Sequence, residues 1–217
     1  PILANVYLHY VLDLWFEKCI KKQLYGEAYL IRFADDFLIM FQYERDAQRV
    51  YEAIVKRMEL FGLELSKEKT RILPFGRYSV SRETFDFLGF THFNSKTRKG
   101  YYSVGHKISH KKKKQFKSNL KKWVKENRNT QFDEFMKALN KKLTGSFNYY
   151  SLSGMIREVR SLWIHSLYVT FKWMNRRSQR RSFKLERFYE IWNDQIVHPF
   201  IHVDIWSGDK VIYNKNV

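Results

Sequence analysis

The chain predicts an α+β fold: an antiparallel sheet with helices over its first ninety residues, then a basic helical bundle. Three observations carry that reading. Two apolar runs of strand length, 28–31 and 37–41, frame Phe33-Ala34-Asp35-Asp36, the pattern of a hairpin with two carboxylates at its turn. Beyond residue 100, apolar residues recur at helical rather than strand spacing. The charge is also divided. Residues 1–93 carry 13 Lys/Arg and 13 Asp/Glu, whereas residues 94–217 carry 27 and 9, so the whole formal net charge of +18 lies in the second part. A neutral platform joined to a strongly basic extension points to a polyanion as partner, nucleic acid above all.

The elements follow in order. Pro1 suits the first turn of a helix. Leu8, Val11, Leu12 and Trp15 continue it at helical spacing, with Asp13 and Glu17 on another face. The Asp-Asp hairpin comes next. A second helix starts at Asp46 and runs through Val50, Ile54, Met58 and Phe61, with Gly62 as its C-terminal stop. Residues 63–65 and 70–73 read as short strands around a polar connection, and Pro74-Phe75-Gly76 as a turn. Residues 85–90 read as a strand pair or hairpin whose glycine permits close backbone approach. Ser, Thr, Lys, Arg and Gly at 94–100 predict a linker between a first domain, 1–93, and a helical one, 101–182. That second domain has three apolar stripes: Phe116, Leu120, Trp123 and Val124; Phe132, Phe135, Leu139 and Leu143; Val159, Leu162, Trp163, Leu167 and Phe171. Residues 183–217 form an extension without a clear pattern, in which the tail from Ile201 gives a weak strand signal.

With 14 Tyr, 18 Phe and 6 Trp, the chain has the composition of a packed globular protein. One cysteine, Cys19, excludes a disulfide framework and a Cys-rich zinc site, fits a reducing compartment, and reads as a small buried thiol on a helix. No apolar stretch reaches the length of a membrane span, and no targeting signal is visible, which predicts a cytoplasmic protein, bacterial or organellar. The opening on Pro1 inside a helical pattern suggests the C-terminal part of a longer enzyme.

Asp35 and Asp36 are the centre of the chemistry. Adjacent carboxylates repel unless a positive group sits beside them, and magnesium is typically held by one or two carboxylates plus substrate phosphates. Asp also tolerates turns, so the dipeptide alone is weak evidence; its framing by core-type sequence raises it. Nucleotidyl transfer uses two Mg²⁺ ions roughly 3.5–4 Å apart, with Mn²⁺ as a substitute, and a third carboxylate from a neighbouring strand is then expected. Asp86, flanked by aromatics, reads as structural. His106 and His110 have the i, i+4 spacing of a zinc pair on a helix, but no Glu follows His106 and no third ligand is evident.

The succession of residues 1–8, Pro-Ile-Leu-Ala-Asn-Val-Tyr-Leu, then Phe33-Ala34-Asp35-Asp36, resembles the palm of a reverse transcriptase. Phe61-Gly62-Leu63-Glu64-Leu65 with Glu68-Lys69-Thr70, then Phe85-Asp86-Phe87-Leu88-Gly89-Phe90, continues the likeness in order. Within that superfamily the chain is most similar to group II intron-encoded reverse transcriptase/maturases, and residues 143–150, Leu-Thr-Gly-Ser-Phe-Asn-Tyr-Tyr, resemble their thumb-like maturase region. The resemblance implies a partial palm at 1–93 and a thumb/maturase bundle at 101–182. It implies RNA-directed DNA synthesis, with Asp35 and Asp36 as catalytic metal ligands and Lys69 as the proton donor to departing pyrophosphate. Phe33, where Tyr is commoner, would face the primer end, and Phe87, Leu88 and Gly89 would grip the primer strand. The family's fingers and first catalytic aspartate would lie upstream of Pro1, so the chain alone is expected to be inactive.

In the basic part, Lys111, Lys112, Lys113 and Lys114 open a helix, and Arg176, Arg177, Arg180 and Arg181 lie near the end of another. Both clusters read as phosphate-binding, with lysine acting as a point charge and arginine bidentately. Trp123, Tyr149, Tyr150 and Trp163 have the chemistry to stack on bases, but their helical spacing suits a core. The expected partners are RNA template or intron RNA, a DNA primer and deoxynucleoside triphosphates, with no membrane. Two further readings stay open: a non-catalytic RNA-binding splicing factor, and a non-intron reverse transcriptase serving defence or a CRISPR system.

Overall fold

Ile2–Leu8 (α1) opens the chain as a helix, which continues through wide π-type turns at His9–Asp13 and Phe16–Ile20 and a last 3-10 turn at Lys21–Gln23. This computed structural model describes residues 2–66, 68–177 and 182–201. The expectations for Pro1, Arg180, Arg181 and the tail beyond Ile201 lie outside the described residues. Val11, Leu12 and Phe16 turn inward. Cys19, expected to be buried, is exposed, because Phe16 takes the inward position of that turn.

Ala28–Phe33 (β1) and Asp36–Phe41 (β2) form the expected antiparallel hairpin, in register from Ala28 opposite Phe41 to Phe33 opposite Asp36. Glu44–Leu60 (α2) follows, with Glu44 and Asp46 in its first turn, where carboxylates complement the helix dipole. Its row of Val50, Ile54 and Met58 packs with Val11, Leu12, Phe16 and Ala28 to make the core beneath the hairpin. Gly62, at φ +68°, ends the helix as the sequence predicts. Residues 63–65 and 70–73 are not strands. Leu63 and Leu65 pack against this core as irregular chain, and no neighbouring strand takes up their backbone groups.

Thr84–Phe87 (β3), Phe90–Lys96 (β4) and Tyr102–Ile108 (β5) make a three-stranded sheet in chain order. Residues 94–100 are therefore not a linker but the end of β4 and its turn into β5. Asn94 fixes this turn region by accepting hydrogen bonds from the Gly76 amide (3.2 Å) and the Tyr102 hydroxyl (3.0 Å). Two compact units result, one of residues 2–88 with 92–105, the other of residues 89–91 with those from 106 onward.

The second unit is the helical bundle. His110–Asn127 (α3), Phe132–Tyr150 (α4) and Ile156–Met174 (α5) bury the three stripes read from the sequence, and Ser109 caps α3 through its side chain. Leu185–Gln195 (α6), which the sequence left unassigned, adds Phe188 and Trp192, both fully buried. His106 lies on β5, not on a helix, and its Nε2 is 2.9 Å from the Ser153 carbonyl, so no helical zinc pair exists. Among the described residues no helix is long and apolar enough to cross a membrane.

Because Trp192 fills the space between Phe188 and Trp163, Trp192→Ala should destabilise the bundle by about 3–5 kcal/mol, read from the midpoint of urea unfolding.

Candidate functional site

The hairpin register leaves Ala34 and Asp35 as a two-residue turn, with Asp36 the first residue of β2. Ala34 has φ +54°, a left-handed value that glycine adopts freely and that costs an L-residue roughly 1 kcal/mol. Something must hold it there, and the holder is Arg32. Its Nη1 donates to the Ala34 carbonyl at 2.9 Å and to Asn5 Oδ1 at 3.0 Å. Its Nε and Nη2 each donate to Asp13, both at 2.7 Å, forming a bidentate pair. The tip of the hairpin is thus tied to two successive parts of the first helix by one guanidinium. The base is tied by Asp46, whose Oδ2 accepts from the amides of Tyr25 (3.0 Å) and Gly26 (3.1 Å).

Sequence reasoning missed Arg32, Asp13 and Asn5. The signal was present: a charged residue at an inward-facing position of an apolar strand needs a buried partner. The pairing shows in the electrostatics. Hydrogen bonding to Arg32 holds the Asp13 carboxyl below its usual range against the opposing effect of burial, and His9, 3.3 Å away, adds to the lowering. The same bonds push the Arg32 guanidinium higher still.

Asp35 and Asp36 are both exposed. Asp36 shares the open face of the hairpin with its cross-strand neighbour Phe33, whose ring is 64% exposed, and with Ile31, Leu38, Tyr29 and Met40. No group of three His, Cys, Asp or Glu side chains suited to an ion occurs among the described residues. Asp13, on the first helix, is committed to Arg32. The pair therefore fits a hard divalent cation whose remaining ligands are substrate phosphates and water, and does not by itself make a closed metal site. Lys69 is exposed in a turn where its own amide and that of Thr70 donate to the Ser66 carbonyl at 3.1 and 2.9 Å. Asp86 is on β3.

Between β3 and β4 the two turn residues, Leu88 and Gly89, have φ +50° and +82°, as a type I′ hairpin turn requires. Gly89 is needed for its backbone, since a side chain there would meet only ordinary contacts, 3.5 Å from Lys112 Cγ. Among the described residues Ala34 and Leu88 are the only non-glycine residues with positive φ. They occupy the two turns that the sequence marks for chemistry. Strained backbone of this kind persists where surrounding structure overdetermines it and concentrates at functional sites.

The basic residues separate into different roles. Lys111, Lys112 and Lys114 are exposed at the start of α3, where the helix dipole is also positive and the first turn of the helix itself has no acidic residue. Lys113 pairs with Glu158 of α5. Arg176 is exposed, whereas Arg177 is structural: its Nη2 donates to the Thr130 carbonyl at 3.3 Å and burial lowers its pKa. Of the aromatics considered for stacking, Trp163 is buried and Trp123 packs on Phe135, so both serve the core. Tyr149 is half exposed and stacks on Phe90, while Tyr150 meets the same ring edge-on.

The sequence model of the family described as reverse transcriptase (RNA-dependent DNA polymerase) matches residues 1–92. That span contains the Asp35-Asp36 hairpin, Lys69 and the Leu88-Gly89 turn. Enzymes of that family use divalent metals and act on a nucleic acid template and primer with nucleotide substrates. No curated protein matches the chain.

The depressed Asp13 carboxyl contributes stability that is complete above its unfolded pKa of about 4 and is lost as pH falls through the lower folded value. Stability followed from pH 6 to pH 2 should therefore decline below about pH 4 in the native protein, and less so in Asp13→Asn. Arg32→Ala should cost roughly 1–2 kcal/mol at pH 7 after allowance for solvent screening, with Arg32→Lys recovering only part because lysine cannot reproduce the fork.

Proposed function

We propose that this chain carries the metal-binding part of an RNA-directed DNA polymerase palm of the group II intron type, followed by its thumb/maturase helices. In this reading Asp35 and Asp36 hold magnesium together with the phosphates of an incoming deoxynucleoside triphosphate. When bound, magnesium supplies Lewis-acid stabilisation of the charge that develops as a primer 3′-hydroxyl displaces pyrophosphate. The remaining work belongs to side chains. Arg32 keeps the turn carbonyl and both tip carboxylates in a fixed presentation, so little reorganisation is needed when charge arrives. The exposed Phe33 ring offers an apolar surface to the primer end. Lys69, exposed on a turn, stabilises the leaving pyrophosphate and can give it a proton. The Leu88-Gly89 turn presents backbone to the primer strand. Lys111, Lys112 and Lys114 add a positive face at the positive end of α3, which phosphate would neutralise.

One coincidence carries the reading. A matched family pattern, an exposed pair of carboxylates and a strained backbone held by a partly buried arginine meet at the same hairpin tip. A single observation favours a second reading, that of an RNA-binding splicing factor without polymer chemistry: the whole net charge of +18 lies in residues 94–217, outside the Asp35-Asp36 hairpin.

The test uses the full-length protein on a primed RNA template. Asp35→Asn with Asp36→Asn should lower primer extension by at least about a thousandfold, on the scale of losing a metal's charge stabilisation, while leaving RNA binding within about twofold. Extension that survives the double change overturns the catalytic reading. Equal splicing assistance by both proteins, with no extension by either, selects the splicing factor instead.

A further inference from the structure

Helices α3 and α5 run in the same direction: Lys113 meets Glu158 near their N-terminal ends, and a recess of about 460 Å³ opens between them near their C-terminal ends. Its lining is Lys121 and Lys125 from α3, Val169, Lys172 and Trp173 from α5, and Arg176 from the turn that follows α5. Helix α3 gives an i, i+4 pair of cations to the rim, α5 gives Lys172 and the turn after it Arg176, and Val169 and Trp173, an i, i+4 pair on α5, form an apolar floor. The recess lies wholly within the helical unit.

The floor organises the rim. Lys125, Arg128 and Arg176 sit 5.9, 5.3 and 5.4 Å from the centre of the Trp173 ring. Cation–π attraction to a half-buried indole gives each some return for standing close to the others. It does not cancel their mutual repulsion, and no carboxylate lines the recess. Four like charges around one concavity are therefore an unbalanced field that an anion would complete. The volume is that of a small-ligand site, too small for a duplex to enter, and suits one or two nucleotides of a strand. Along α3, Lys121 and Lys125 are separated by about 6 Å of rise, close to the spacing of adjacent phosphates on a strand.

We propose that this recess is a binding site for the phosphodiester backbone of a single nucleic acid strand, distinct from the lysine face at the start of α3. Arg176 supplies the bidentate contact, Lys121, Lys125 and Lys172 supply point charges, and Trp173 holds the cations apart from the core while leaving base identity unread. The proposal rests on the reading that the chain handles nucleic acid, and not on any catalytic role of Asp35 and Asp36. The competing explanation is that these cations merely complement the C-terminal ends of the two helices, which would make them a matter of stability.

The experiment measures binding of a fluorescein-labelled single-stranded oligo-uridylate to the full chain between 50 and 300 mM salt, with inorganic tripolyphosphate as the compact competitor. The quadruple change Lys121→Gln, Lys125→Gln, Lys172→Gln and Arg176→Gln should weaken binding about tenfold or more at the lowest salt. It should also reduce the slope of log affinity against log salt by about 1.4, the value for two phosphates on a single strand. The double change Lys172→Gln with Arg176→Gln guards against loss of folding and should give about half that reduction. Trp173→Leu, which keeps every charge, should weaken binding several-fold. Unchanged affinity and slope with only a lowered melting temperature would overturn the proposal in favour of helix complementation. Displacement of the strand by tripolyphosphate at equimolar concentration would overturn the strand as ligand. Primer extension measured alongside separates this site from the tip: its failure there would leave the strand site standing, and the reverse also holds.

Discussion

The bidentate contact between Arg32 and Asp13 governs the first unit. A guanidinium inside an otherwise apolar strand is costly unless its donors are placed, and here four of its hydrogen bonds are. Two go to a carboxylate on the first helix, one to an amide side chain on the same helix, and one to the carbonyl of the turn itself. That last bond stabilises the left-handed Ala34, which sets where Asp35 and Asp36 emerge. The acidic tip is exposed and has little packing of its own. Its position is inherited from Arg32 at one end and from Asp46 at the base of the hairpin. An exposed pair of carboxylates is held in place by a partly buried ion pair whose arginine lies two residues before the turn.

The second unit solves a different problem, that of carrying excess positive charge on a stable scaffold. Its core is a continuous cluster from four helices, with Phe135, Phe147, Phe188 and Trp192 among the most buried side chains. That apolar interior leaves the outer faces free for lysine and arginine. The first turn of α3 concentrates lysines where the helix dipole already repels them, and the far ends of α3 and α5 gather four more cations around Trp173.

Much of this was legible in the sequence because it depends on local periodicity. The hairpin, the helix from Glu44 to Leu60 and the three stripes of α3, α4 and α5 follow from apolar spacing alone. The two hairpin turns were legible from Asp-Asp and Leu-Gly between apolar runs. What stayed hidden was long-range. Arg32 finds Asp13 across nineteen residues of chain, Glu158 reaches Lys113 across forty-five, and β4 pairs with β5 as well as with β3, so that a polar stretch resembling a linker is a hairpin turn. The helix from Leu185 to Gln195 was missed because its inward row is short, resting on Phe188 and Trp192. Arg177 looked like a phosphate ligand and is a structural donor, a distinction that only the Thr130 carbonyl reveals.

The claim on which the account turns is that the tip at Asp35 and Asp36 binds a divalent cation in the presence of nucleotide. Electron paramagnetic resonance of Mn²⁺ reads this directly, with the full-length protein, a chain-terminated primer on an RNA template and the next deoxynucleoside triphosphate. The account predicts a protein-dependent bound signal that disappears when both aspartates are asparagine and is weakened when Arg32 is alanine. An identical bound signal from the native and the double-asparagine proteins would contradict it.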